Sequence, residues 1–165
     1  MAVGLLVLLS GCSTGAGAKD DRKVRRESAV ISESVRWLLA QSFGASPRSL
    51  PITVFVESVG EREIALEVQT EVVQRLSGEF KVRFIDEIDE GIDKSSPSWT
   101  VRDKGMIVRL GSVPGEDVDE TNIPLYAERY IDQTRTVAYK LIMSGTGEQW
   151  SVAPYPEIVK ARSQA

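Results

Sequence analysis

Two hydrophobic periods alternate along this chain and divide it into elements. From Ser28 to Phe43 the apolar positions Ile31, Val35, Leu38 and Leu39 fall at i, i+4, i+7 and i+8. That spacing predicts an amphipathic helix, which Gly44 and Pro47 end. Trp37 lies off the stripe, beside Val30 and Gln41 on the wheel, so its ring is expected to point away from the main core. Either another segment, such as the tail around Tyr155 and Ile158, or a partner would then cover it. Pro51 introduces Ile52-Thr53-Val54-Phe55-Val56, an uncharged β-branched and aromatic run that predicts a strand covered on both faces. Ser58-Val59-Gly60-Glu61 has the spacing of a capping box and predicts a second helix from that point. Ile64, Val68, Val72 and Leu76 line one side of it, Glu63, Glu67, Glu71 and Gln74 the other, and Gly78 stands at the C-cap.

The second half changes to a period of two. Phe80 to Phe84 alternates as a strand with one wet face does, and Met106 to Leu110 predicts a third strand. Val137, Tyr139, Leu141 and Met143 alternate with Thr136, Ala138, Lys140 and Ile142; Ser144 to Gly147 turns the chain, and Gln149 to Val152 returns with Trp150 facing the core. Pro114 to Pro124 is acidic and aperiodic and is expected to be loop, with Tyr126 and Tyr130 packing at a rim or serving as contact rings. The tail after Pro156 is polar. The fold class that follows is α+β, with two helices packed on one face of a small mixed or antiparallel sheet, in one domain spanning 28–165.

The first residues carry a different signal. Ala2 to Leu9 is an uncharged apolar run, and Leu9-Ser10-Gly11-Cys12 places the sole cysteine behind two small residues. This is the pattern of a bacterial lipobox, in which a peptidase cuts between Gly11 and Cys12 and the thiol takes a lipid. Residues 1–11 are then a lipoprotein signal peptide and 12–27 a lipidated flexible leash, because Ser13 to Ala18 is small and Gly-rich. Met1-Ala2-Val3 lacks the usual basic residue, as expected if translation starts further upstream. The basic cluster Arg22-Lys23-Arg25-Arg26 would solvate the leash or touch anionic headgroups or glycan.

Composition then prunes the chemistry. Histidine is absent and the one cysteine is assigned to lipid, so Ser-His-Asp and Cys-His machinery and His/Cys zinc sites are excluded. A net charge of -4 with interspersed signs argues against a nucleic-acid surface. Asp86, Glu87, Asp89 and Glu90 form an acidic loop that lacks the spacing of a calcium loop, so a solvated turn is expected. No metal or cofactor is implied.

Several stretches together resemble a known superfamily. A P-I-T-V-F-V strand, a helix ending in L-S-G-E-F-K-V, and R-T-V-A-Y-K-L-I-M-S-G-T-G-E-Q-W-S-V are similar to the TolB amino-terminal-like fold, whose members include penicillin-binding protein activators, the curli secretion protein and flagellar lipoproteins. In those proteins a T-G-E turn leads to a W-S strand and a lysine-containing segment, here Thr146-Gly147-Glu148, Trp150-Ser151 and Ile158-Val159-Lys160. Their usual helix between the second and third strands has too little room here, and the long pore-forming hairpins of the curli protein have no counterpart. The resemblance implies a non-enzymatic, lipid-anchored module that engages a peptidoglycan synthase or a secretion or motility assembly; Ser13, standing where an aspartate tends to retain lipoproteins in the inner membrane, makes the outer membrane, facing the periplasm, the expected location. Self-association stays open. The alternatives are a glycan- or small-ligand-binding lipoprotein using Trp99, Tyr126 and Tyr130 as stacking platforms, and a hydrolase using the paired carboxylates of the acidic loop. Trp37, Trp99, Tyr126 and Tyr130 are the interaction candidates.

Overall fold

The computed structural model describes residues 15–43, 52–114 and 119–159. The order is α1 (Gly15–Phe43), β1 (Ile52–Ser58), α2 (Leu66–Leu76), β2 (Phe80–Ile85), the one-turn α3 (Ile88–Gly91), β3 (Ile92–Asp93), β4 (Thr100–Val101), a 3-10 turn (Arg102–Lys104), β5 (Met106–Leu110), β6 (Asn122–Tyr130), β7 (Thr136–Thr146), β8 (Gln149–Val152) and β9 (Glu157–Val159). Seven strands form one mixed sheet in the order β2-β1-β5-β6-β7-β8, with β9 also pairing β7; β3 and β4 make a separate ribbon. β1 lies parallel to β2 and β5, whereas β5-β6, β6-β7 and β7-β8 are antiparallel. The α+β class is as the sequence predicts, with α1 and α2 on one face, but the mixed sheet is larger than expected and Ile88 of α3 packs at the opposite face.

Alternation along each strand assigns the faces. Val54, Val56, Met106, Val108, Leu110, Ile123, Leu125, Leu141, Met143 and Trp150 join Ile31, Val35, Leu38 and Leu39 of α1 and Val68, Val72 and Leu76 of α2 in the main core. The opposite face carries a smaller cluster of Phe55, Ile107 and Tyr130, roofed by Ile92 and Val101 from the segment between β2 and β5.

The leash and the domain start need correction. Residues from Gly15 onward are helical and continuous with the core helix, so 15–27 is helix where a flexible leash was expected, and 28 is not where structure begins. Nucleation is the costly step in helix formation, and the packed part of α1 supplies the nucleus from which each added residue gains one hydrogen bond. Arg26 to Ser32 are consecutively buried, which encloses α1 on every side for about two turns. Arg26, assigned by sequence to a solvated cluster, is 3% exposed; it donates to the Pro114 carbonyl at 2.7 Å and its guanidinium lies 5.6 Å from the Trp150 ring centroid. Cys12 and Gly11 lie outside the described residues.

Three further expectations change. The Ser58 hydroxyl donates to the Arg62 carbonyl instead of capping a helix, and α2 starts only at Leu66 behind Ala65, which makes no side-chain cap. β6 begins inside the stretch expected to be loop and continues through both tyrosines for nine residues. The tail adds β9 against Ala138 to Lys140. The hairpin forms, but its turn is tighter than expected: Ser144, Gly145 and Thr146 pair with Ser151, Trp150 and Gln149, which leaves Gly147 at φ 57 and Glu148 as the turn, and the buried Trp150 indole N–H donates to the Gly147 carbonyl at 2.9 Å.

Candidate functional site

A row of polar residues crosses the second sheet face at the seam where parallel pairing gives way to antiparallel. Glu57 of β1 stands opposite Arg109 of β5, and Arg109 stands opposite Glu128 of β6. Directly opposed residues share a face, so these three side chains meet by register alone. Arg109 donates from Nε to Glu57 Oε2 at 2.7 Å and from Nη1 to Glu128 Oε1 at 3.1 Å. The Tyr126 hydroxyl, two residues along β6, completes the ladder by donating to Glu128 Oε2 at 2.6 Å.

Glu57 and Glu128 are only 8% and 6% exposed. Carboxylates held that dry need charged partners, because desolvation alone costs several kcal/mol per ion. Burial pulls the Arg109 guanidinium toward the neutral form, but hydrogen bonds and charge from Glu57 and Glu128 outweigh it and hold its pKa above the ordinary value. Burial, then the hydrogen bond and charge of Glu128, push the Tyr126 hydroxyl up to about 12. Tyr126 therefore keeps its proton at any physiological pH and acts as a fixed donor. Two carboxylates around one guanidinium leave one net negative charge, and the groups point at one another. The ladder is a rigid polar floor whose most evident effect is register: a one-residue slip of β5 or β6 would bury the charges without partners.

Around this floor the sheet face is open. Tyr126 is 37% exposed and Ile142 38%, and Pro124 pairs directly with Ile142 and Tyr126 with Lys140. Rings and aliphatic groups at the surface beside immobilised charges make a surface suited to contact.

The four candidate rings do not converge. Trp37 belongs to the other face: half-buried, it packs edge-on against Tyr139 with centroids 5.0 Å apart and planes at 89°. Its expected direction, away from the core, is thus overturned, because the apolar face of α1 is broader than the stripe of four residues. Tyr155 does not cap it and is 98% exposed. Tyr130 is buried, and its hydroxyl donates to the Trp99 carbonyl at 2.6 Å. Trp99 is 42% exposed at φ 48, with the Lys94 ammonium 5.6 Å from its ring centroid.

The acidic loop is tied up locally. Glu87 and Glu90 cap α3 reciprocally, Asp89 pairs with Lys94, and Asp93 accepts from the Ser95 hydroxyl at 2.6 Å. Among the described residues no three His, Cys, Asp or Glu side chains are disposed to hold a metal ion. The ladder itself escaped sequence reasoning. Its signal was a lone charge inside each apolar strand, at Glu57, Arg109 and Glu128, since such a charge is stable only with a partner.

Fold and site together define an α+β domain with one helix-covered sheet face and one partly open face floored by an ion-pair ladder. No family model, curated protein or solved structure matches the chain.

Proposed function

We propose that this chain is a lipid-anchored, non-enzymatic module of the bacterial envelope, attached to the outer membrane through Cys12 and facing the periplasm. It binds or activates an envelope machine, of which the resemblance to the TolB amino-terminal-like superfamily supplies two kinds, a peptidoglycan synthase and a secretion or motility assembly. The observation that carries the interaction half is the open part of the sheet face, where Tyr126 and Ile142 are exposed over the satisfied ladder. Such a surface offers contact area at little ordering cost, because the ladder already fixes its side chains. Tethering raises the effective concentration for a partner on the same membrane, so a modest patch suffices.

Two observations weigh against the alternatives. Glu87, Asp89 and Glu90 of the acidic loop are engaged as caps and an ion pair, whereas glycoside hydrolysis needs an acid in an apolar pocket facing a second carboxylate. The glycan-platform reading loses Tyr130 to burial.

The test is photocrosslinking in cells with a benzophenone amino acid at Tyr126 or Ile142, and at Leu66 on α2 as a control. A single envelope protein captured from the two sheet positions and not from Leu66 supports the reading. Capture at Leu66 alone would move the surface to the helical face. Cys12→Ser should shift the protein from the membrane to the soluble fraction with an unchanged denaturation midpoint; a mutant that stays membrane-bound ends the anchor reading.

A further inference from the structure

We propose that the first turns of α1 are a rigid spacer that stands the domain off the bilayer and turns one fixed end of it toward the lipid headgroups. This rests on Cys12 being the point of lipid attachment. Only Ser13 and Thr14 separate Cys12 from the first helical residue, Gly15. α1 is one unbroken helix of 29 residues, about 43 Å long at the standard rise. Lys23 and Val24 are half-buried, and Arg26 is buried. Asp20, Asp21 and Arg22 are exposed. The eight helical residues from Gly15 to Arg22 add roughly 12 Å of helix ahead of Lys23. A flexible leash of sixteen residues would let the domain wander about 20 Å in every direction, whereas a helix continuous with the core gives one distance and one direction.

The helix cannot swivel where it enters the body. Arg26 Nη1 donates to the Pro114 carbonyl at 2.7 Å, and Arg62 Nη2 donates to both Glu27 carboxylate oxygens at 2.9 Å. Those bonds also say which loops share that end, namely the segment after β1 and the segment after β5. The far end is marked by Ser42, whose hydroxyl accepts from Arg129 Nη1 at 2.6 Å beside the turn between β6 and β7. Glu61 and Glu63 thus face the bilayer, and Asp103 and Arg135 face away. Charge agrees with a stand-off. The exposed Glu61 and Glu63 at the body's near end are repelled by anionic headgroups. The open part of the sheet face then stands side-on to the membrane, accessible to a neighbour anchored in the same leaflet.

The experiment measures energy transfer from a donor dye, placed through a bio-orthogonal amino acid at Glu61 or at Asp103, to acceptor-labelled headgroups in vesicles of phosphatidylethanolamine and phosphatidylglycerol. The full chain is expressed in cells and purified with its lipid; if it carries none, its Cys12 thiol is conjugated to a maleimide lipid. The expected result is transfer several-fold greater from Glu61 than from Asp103. Replacing Asp20, Asp21 and Arg22 together by glycine, or inserting four glycines after Ala18, should bring the two positions to similar transfer while tryptophan fluorescence stays native. Equal transfer from both positions in the unaltered protein overturns the spacer. Absence of lipid on the protein from cells overturns the anchor beneath it, and the conjugated protein still judges the geometry.

Discussion

Arg109→Met keeps the apolar stem of the side chain but removes the cation between Glu57 and Glu128. Breaking a buried ion pair by deleting one partner costs about 3–5 kcal/mol, most of it from the charges left behind. The Arg109 side chain is 25% exposed, so the lower end, about 3 kcal/mol, is expected. For a domain of this size each kcal/mol moves the melting temperature by about 2–4 °C, which amounts to roughly 6–12 °C. Urea denaturation followed by tryptophan fluorescence reads the change, with an unaltered slope showing that the two end states stay equally compact. Adding Glu57→Gln and Glu128→Gln to Arg109→Met should recover most of the loss, because no buried charge then remains. A loss below about 1 kcal/mol would refute the account, since surface pairs behave that way and buried ones do not.

Other perturbations test separate parts of the structure. Trp150→Ala should cost about 3–5 kcal/mol in the same denaturation assay, because a buried ring that touches the Arg26 guanidinium is lost from the main core. Trp37→Ala should cost about 2–3 kcal/mol through burial and the edge-on contact with Tyr139, and crosslinking in cells should be unaffected; an unchanged midpoint would return Trp37 to the list of contact residues. Burial works to raise the pKa of Asp132, but hydrogen bonds from Arg135 and Thr134 outweigh it and hold the carboxyl at about 2. Its contribution is therefore complete above about pH 4 and lost as pH falls toward 2; with the exposed Arg135 partner discounted it amounts to about 1 kcal/mol, and Asp132→Asn should flatten that limb of the stability curve. Tyr126 has the opposite sign. With its pKa raised to about 12, the stability it contributes is present below pH 10 and lost as pH rises from 10 to 12, and Tyr126→Phe should abolish that alkaline loss.

Elements built on local periodicity were legible in the sequence. The α1 stripe, the α2 stripe, β1, β2, β5 and the β7-β8 hairpin all declare themselves within a window of ten residues or so. β6 did not, because Pro124 and the acidic run before it are loop signals, while the alternation of Ile123, Leu125 and Ala127 uses one small residue and sets it between Tyr126 and Glu128. The start of α2 was misplaced because Ser58 and Glu61 satisfy the spacing of a capping box, yet the serine bonds to Arg62 at the end of a strand. The ladder was hidden for a deeper reason. Glu57, Arg109 and Glu128 are separated by 52 and 19 residues, and what joins them is strand register, which no local window contains. Trp37 was misjudged because helical wheels assign a core stripe of fixed width, whereas α1 is wrapped by sheet, second helix and hairpin together.

That wrapping bears on how the chain acquires its structure. The first helix to leave the ribosome finds its final partners in almost the last strand made, where Trp150 closes against Arg26. The central seam, β1 beside β5, must likewise wait for the whole crossover between them. A nascent chain can form the α2 turn-and-strand unit and later the β6-β7-β8 meander, but neither buries α1, and topologies that join distant segments gain little until the closing contact is made. Cooperative structure therefore arrives late and all at once. A chain released before the β7-β8 hairpin is made therefore lacks the contacts that bury α1.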